Sequence, residues 1–295
     1  MFVMKKFGIL LMAVSVVMGT VSCEKIIKWL EPYETTSIND IVIESRFITN
    51  KDYNCPFNVI LPADYKTSGE RYPVLYLLHG MTDDNYSWQE EGDVVELTKK
   101  AVDAGIIDPF IIVLPNAYLT FYVDDLDWSE LPVFNYHPKL KFESFFTKEL
   151  QPYIESHFPV LTDREHTAIA GLSMGGYGAS YYAFKYPEKY CYCASFSGAV
   201  NGADWTGLTD KVPSIEDIFK TKGYTKDDFD RLPEYIMDCG DVDIVCSLFN
   251  DLTHDFLKSI EFPHVYRVYS GGHNWDYWRP AYERMLPELA KHFDK

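Results

Sequence analysis

The run Gly171-Leu172-Ser173-Met174-Gly175-Gly176 constrains this chain more than any other stretch. It is a G-x-S-x-G pattern between two different periodicities. Thr167 to Leu172 is short and apolar, which predicts a buried strand. The segment from Gly175 has the residues of a helix and ends near Pro187. A serine at such a corner sits on a strained turn that lifts its hydroxyl above the sheet. The helix N-terminus then points at the reacting atom. Five residues alone match by chance, and a tight turn that merely needs small residues has the same spelling. The strand-turn-helix context makes Ser173 a candidate nucleophile.

The rest of the chain supplies a matching frame. Apolar runs predict strands near 41–47, 57–61, 74–78, 110–114, 167–172, 192–197, 235–239 and 265–269. Helical patterns fall near 92–104, 143–157, 175–186, 249–260 and 280–293. Alternating strands and helices predict an α/β fold with a mostly parallel sheet covered on both faces. The first two strands have no helix between them, so the sheet is expected to open with an antiparallel hairpin. No internal repeat or low-complexity linker interrupts 38–295, which reads as one domain.

Sites in such sheets form at the carboxyl ends of strands. His79-Gly80-Met81 follows the strand at 74–78, and Ser173 follows the one at 167–172. Gly240-Asp241-Val242-Asp243 follows 235–239, and Gly271-Gly272-His273 follows 265–269. A serine, a carboxylate and a histidine therefore share one edge, in the chain order Ser, Asp, His. A serine hydroxyl needs a base as it attacks, and His273 is the candidate. The imidazole needs a carboxylate to fix its tautomer. Asp243 is favoured over Asp241 because it lies further past Gly240 and can turn back. Asp241 is read as satisfying loop amides. The backbone N–H groups of Met81 and Met174 are the expected oxyanion-hole donors. No C-x-x-C or H-E-x-x-H occurs, so no metal site is expected, and a serine nucleophile with its own base requires no cofactor.

Composition narrows the partners. With 27 basic and 44 acidic residues, the formal net charge is −17, which argues against nucleic acid and anionic membrane surfaces. The N-terminus reads as a targeting segment: Lys5 and Lys6, an apolar stretch from Phe7 to Val21, then Ser22-Cys23. Val21-Ser22-Cys23 resembles the lipobox of bacterial lipoproteins, although Thr20 replaces the usual leucine. Residues 1–22 are thus expected to be a signal peptide, Cys23 a lipidation site and 23–37 a tether. Plain secretion is the alternative. The membrane is expected as a partner only through that anchor. Without Cys23, five cysteines remain, an odd number that suggests buried thiols rather than a disulfide framework.

Several longer segments carry a family resemblance. YPVLYLLHG (72–80), FIIVLPNA (110–117), FESFFTKELQPYIESHFPV (142–160), TAIAGLSMGGYGA (167–179) and GGHNWDYWRPA (271–281) are similar to the esterase D-related group of α/β-hydrolases. Within it they most resemble feruloyl and acetylxylan esterases of carbohydrate esterase family 1. The resemblance spans about residues 40–293 and implies the α/β-hydrolase fold with an eight-stranded sheet. It also implies nucleophile Ser173, base His273, acid Asp243 and oxyanion amides at Met81 and Met174. The implied substrates are feruloyl or acetyl esters of plant polysaccharide such as xylan. The stretch MTDDNYSW (81–88) lacks the second glycine common in feruloyl esterases. The group also contains siderophore esterases, S-formylglutathione hydrolases and mycolyltransferases. A different small ester, acyl transfer to a sugar, or a non-catalytic carbohydrate-binding lipoprotein are the alternative functions.

The segment from Asn116 to Leu140 is the expected specificity element. It follows a strand at the catalytic edge and is rich in large aromatics, whose faces suit cinnamoyl and sugar rings. Phe121, Trp128 and Tyr136 are candidate substrate contacts within it, and Trp275 is another beside His273. Ordinary packing is the competing reading for each.

Overall fold

A computed structural model describes residues 34–38, 41–49, 54–126, 140–201 and 211–293. Its sheet has nine strands: β1 (Glu34–Ile38), β2 (Ile41–Thr49), β3 (Asn54–Leu61), β4 (Val74–Leu78), β5 (Ile111–Pro115), β6 (Thr167–Leu172), β7 (Tyr192–Phe196), β8 (Glu234–Gly240) and β9 (Val265–Tyr269). Their spatial order is β1-β2-β3-β5-β4-β6-β7-β8-β9. The first four in that order pair antiparallel, from β1 through β5. From β5 to β9 every pairing is parallel.

The expected count of eight strands is corrected to nine among the described residues. The extra strand, β1, reaches into the stretch read as a tether and pairs with β2 from Glu34↔Ser45 to Ile38↔Ile41. Its sequence, ETTSI, has no apolar run to signal it, and Thr35 to Ser37 are exposed. An edge strand that buries little can be polar, because its partner's backbone alone holds it.

The side chains of the central strands divide between two cores by the two-residue period of a strand. Tyr76 and Leu78 point into one, with Phe146, Tyr182, Phe184 and Tyr235. Leu75 and Leu77 point into the other, with Trp88, Ile112, Tyr282 and Leu286. Burial on both faces is why these strands read as continuous apolar runs rather than alternating ones.

The helices are α1 (Ser87–Glu90), α2 (Val94–Asp103), α3 (Phe142–Phe145), α4 (Gln151–His157), α5 (Met174–Lys185), α6 (Ile215–Lys222), α7 (Ser247–Ser259) and α8 (Trp275–Phe293). A π-helical turn, Phe146–Leu150, joins α3 to α4. Three helices depart from expectation, the first being the one-turn α1, which has no counterpart among the expected segments. The sequence reading has no helix at α6, although Ser214 and Asp217 form a capping box and Gly223 ends it in the left-handed region. The last helix begins at Trp275, ahead of Pro280. Pro280 and Pro287 therefore both lie inside the helix, where each removes one intrahelical hydrogen bond.

Candidate active site

Ser173 sits between β6 and α5 with φ 53° and ψ −118°. Only close packing holds a non-glycine residue there. The chain passes so near itself that a Cβ at Gly175 would stand 2.3 Å from the Leu78 carbonyl oxygen. One at Gly171 would stand 2.4 Å from the Gly175 carbonyl oxygen. The flanking glycines of the motif are thus required by contact. The Ser173 amide donates to the Phe196 carbonyl (2.9 Å), and its own carbonyl accepts from Ala199 (3.1 Å), which ties the turn to the end of β7.

Ser173 Oγ lies 2.9 Å from His273 Nε2. His273 Nδ1 lies 2.9 Å from Asp243 Oδ2. An ionised carboxylate only accepts, so Nδ1 carries the proton and Nε2 is free to accept one from the serine. Asp243 is fully buried. Its Oδ1 accepts the amides of Val245 (3.0 Å) and Cys246 (2.9 Å). Burial opposes its charge, but the hydrogen bond and charge of His273 and the Cys246 amide outweigh this. Its carboxyl is held below the ordinary carboxylate range. Asp241 is exposed, and its Oδ1 accepts the Gly271 amide at 3.0 Å, a loop-tying bond.

The two residues expected to supply oxyanion amides, Met174 and Met81, lie next to Ser173 and next to Gly80. Met174 opens α5, where helix geometry leaves its N–H without an intrahelical partner. Met81 follows Gly80, at which a Cβ would lie 3.6 Å from Ser173 Cβ. The loop carrying Met81 is fixed through His79, a buried residue with no solvent-facing role. His79 Nε2 accepts the Ala117 amide (2.9 Å), its Nδ1 meets the Gly80 carbonyl (2.7 Å), and its carbonyl accepts the Tyr122 hydroxyl (2.8 Å).

Asp243, Cys246 and His273 bring potential metal-ligand atoms within 4.8 Å of one another. The Asp243 oxygens are already committed to His273 and two amides, and burial pushes the Cys246 thiol well up. The donor set suits a proton relay better than a cation.

The expected substrate contacts fare differently. Phe121 is 1% exposed and packs against Tyr177 at 5.9 Å between centroids. This corrects its expected place in the pocket: the positive φ of Phe121 (49°) and Tyr122 (61°) turns both rings down into the core. Trp275 is half-buried, edge-on to Trp88 (5.1 Å) and Trp278 (5.3 Å), in a packed aromatic row. Trp128 and Tyr136 lie outside the described residues, as does Cys23. The row ends on His273, because the Trp278 ring meets it edge-on at 4.9 Å. Sequence reasoning overlooked Asp238, a buried carboxylate inside the apolar run YIMDCG. A buried charge demands a partner, and that was the available signal.

A mostly parallel sheet with a serine, a histidine and an aspartate joined at its carboxyl edge defines an α/β-hydrolase architecture. The chain belongs to the Esterase family, whose model matches residues 49–234. It is 37% identical over 147 residues to esterase Rv1288 of Mycobacterium tuberculosis, half of this chain, and spans 29% of that protein's length. It is 28% identical over 266 residues to an acetyl esterase of Caldicellulosiruptor saccharolyticus, covering 81% of this chain and 93% of that one. An endo-1,4-beta-xylanase/feruloyl esterase of Xylanibacter ruminicola is 36% identical over 145 residues, 48% of this chain and 19% of that protein. The solved structure of a ferulic acid esterase matches with a TM-score of 0.71 and 29% identity, covering 89% of this chain and all of that one.

Proposed function

We propose that this esterase works through an acyl-enzyme, with Ser173 as nucleophile, His273 as base and Asp243 as the group that orients it. The Ser173–His273–Asp243 hydrogen-bond chain is the observation that carries this reading. As Ser173 Oγ attacks the ester carbonyl, its proton moves to His273 Nε2. The amides of Met81 and Met174 receive the oxyanion, each contributing about 3 kcal/mol to the transition state. His273 then protonates the leaving alcohol, and a water repeats the sequence to free the acid.

The proposed substrates are feruloyl or acetyl esters on plant cell-wall polysaccharide such as xylan. The ferulic acid esterase match and the xylanase-linked relative support feruloyl groups, and the acetyl esterase relative supports acetyl groups. Comparing methyl ferulate, acetylated xylan and p-nitrophenyl acetate tests this. Methyl ferulate or acetylated xylan should have a kcat/KM at least about tenfold above p-nitrophenyl acetate, a pocket-contact effect of about 1–3 kcal/mol. Equal rates on all three would point to a small-ester hydrolase. A product bearing the acyl group on an added sugar would point to a transferase.

Export on a lipidated Cys23 completes the reading. No helix among the described residues is long and apolar enough to cross a membrane. A lipid chain adds about 0.8 kcal/mol of membrane affinity per buried CH₂. Cys23→Ser should therefore release the protein from membranes or leave it unprocessed. Mass spectrometry of a mature chain that starts elsewhere and carries no lipid would refute the anchor.

A further inference from the structure

His273 depends for its place, beyond its hydrogen bonds to Ser173 and Asp243, on the backbone that carries it. It stands in the short loop between β9 and α8, with glycines at 271 and 272. Besides the Asp241 bond to the Gly271 amide, a second support for that loop lies in the first turn of α8. The Tyr277 hydroxyl donates to Asp238 Oδ1, and Asp238 is 1% exposed in β8. Arg284, two turns further along α8, closes on the same carboxylate. Its Nε lies 3.2 Å from Oδ2 and its Nη2 3.1 Å from Oδ1. The Arg284 guanidinium also covers the Tyr269 ring at 4.2 Å, at the end of β9.

Tyr277 presses on the loop from below. A Cβ at Gly271 would stand 2.6 Å from Tyr277 Cδ2, so ring and loop backbone are in direct contact. The Gly271 carbonyl in turn accepts the Val242 amide (3.1 Å), next to Asp243. Asn274 closes the start of α8, its carbonyl accepting the amides of Tyr277 and Trp278 at 3.1 Å each. Trp278 then meets the His273 ring. One strand therefore supplies both anchors: β8 ends in the loop that carries Asp243, and five residues earlier its Asp238 holds the helix that follows His273.

We propose that Tyr277, held by Asp238 and Arg284, is a positioning residue that sets His273 between Ser173 and Asp243. It touches neither substrate nor the reacting atoms. Because this takes His273 to be the base, as proposed above, its test has to separate the two ideas. A misplacement of about 1 Å far from the chemistry costs about 10²-fold in rate. Tyr277→Phe removes the hydroxyl and keeps the ring against Gly271. It should fold, lower kcat by about 10- to 100-fold and leave KM largely unchanged. Arg284→Lys keeps the charge but loses the two-pronged contact, and should give a smaller loss in the same direction. It also serves if Tyr277→Phe folds poorly.

The decisive measurement is the same pair of substitutions in an Asp243→Asn background. Residues that act as one unit are strongly non-additive. With His273 already misdirected, Tyr277→Phe should cause little further loss. The downfield proton resonance of the His273–Asp243 hydrogen bond should also shift or broaden in Tyr277→Phe alone. An equal fold-loss in both backgrounds, or a folded Tyr277→Phe with wild-type kcat, would overturn the positioning role while leaving the relay standing. A wild-type rate for Asp243→Asn itself would remove the relay, and the positioning role with it.

Discussion

Ser173→Ala should remove nearly all esterase activity while the protein stays folded. Deleting such a nucleophile costs on the order of 10⁶ in kcat, because the proposed acyl-enzyme forms on its hydroxyl oxygen. Turnover on p-nitrophenyl acetate is the measurement, with circular dichroism to confirm the fold. Retention of more than about a tenth of the activity by a folded variant would exclude the role, being far outside that loss. The backbone adds a second expectation. Ser173 holds φ 53° and ψ −118°, a conformation that costs an L-residue of order 1–3 kcal/mol. Alanine retains this strain and glycine relieves part of it. Ser173→Gly should therefore be as inactive as Ser173→Ala but melt higher.

Asp243→Asn should cost about 10⁴ in kcat, and Asp241→Asn far less. The local bonding makes the asymmetry specific. Asp243 Oδ1 accepts two backbone amides. In an asparagine, only the carbonyl oxygen can take that place, so its NH₂ must face His273. His273 Nδ1 then has to accept, the proton moves to Nε2, and the imidazole can no longer take the Ser173 proton. Asp241 is exposed and gives one oxygen to the Gly271 amide, a role asparagine can fill. Parallel kcat measurements on the two variants decide it, and the reverse ranking would transfer the orienting role to Asp241.

The order of the Ser, Asp and His was legible in the sequence because each follows an apolar run that reads as a strand, buried in β6 and β8 and half-exposed in β9. Apolar runs such as Val74–Leu78 and Thr167–Leu172 locate the strand ends, and topology brings those ends to one edge. Pockets are harder, because an aromatic side chain reads the same whether it lines a cleft or fills a core. Phe121 was expected in the site and lies in the core for that reason; the deciding positive φ values have no signature in a run of tyrosine and phenylalanine. The Asp238–Tyr277–Arg284 cluster was invisible for another reason. Its members are 39 and 46 residues apart in sequence, and only the docking of α8 on β8 brings them together. β1 went unread because a polar edge strand has no periodicity to betray it.

The neck at the end of the β5 loop has a consequence for how this enzyme could be altered. Asp124 bridges Lys141, the Asp125 amide donates to the Leu140 carbonyl at 2.9 Å, and the Asp124 carboxylate holds the amide and hydroxyl of Ser144. On the inner side of that neck, Tyr122 bonds the same residue, His79, that supports the Met81 loop. Residues 124–125 and 140–144, which flank the interval 127–139, are thus tied to one another and to the His79 loop. Doubling the length of a flexible loop between fixed ends costs only about 0.6 kcal/mol in closure entropy. Grafting in a longer, shorter or foreign sequence there should leave the relay in register. If that interval selects the substrate, as its aromatic residues lead one to expect, a library confined to it would explore new esters without re-solving the fold.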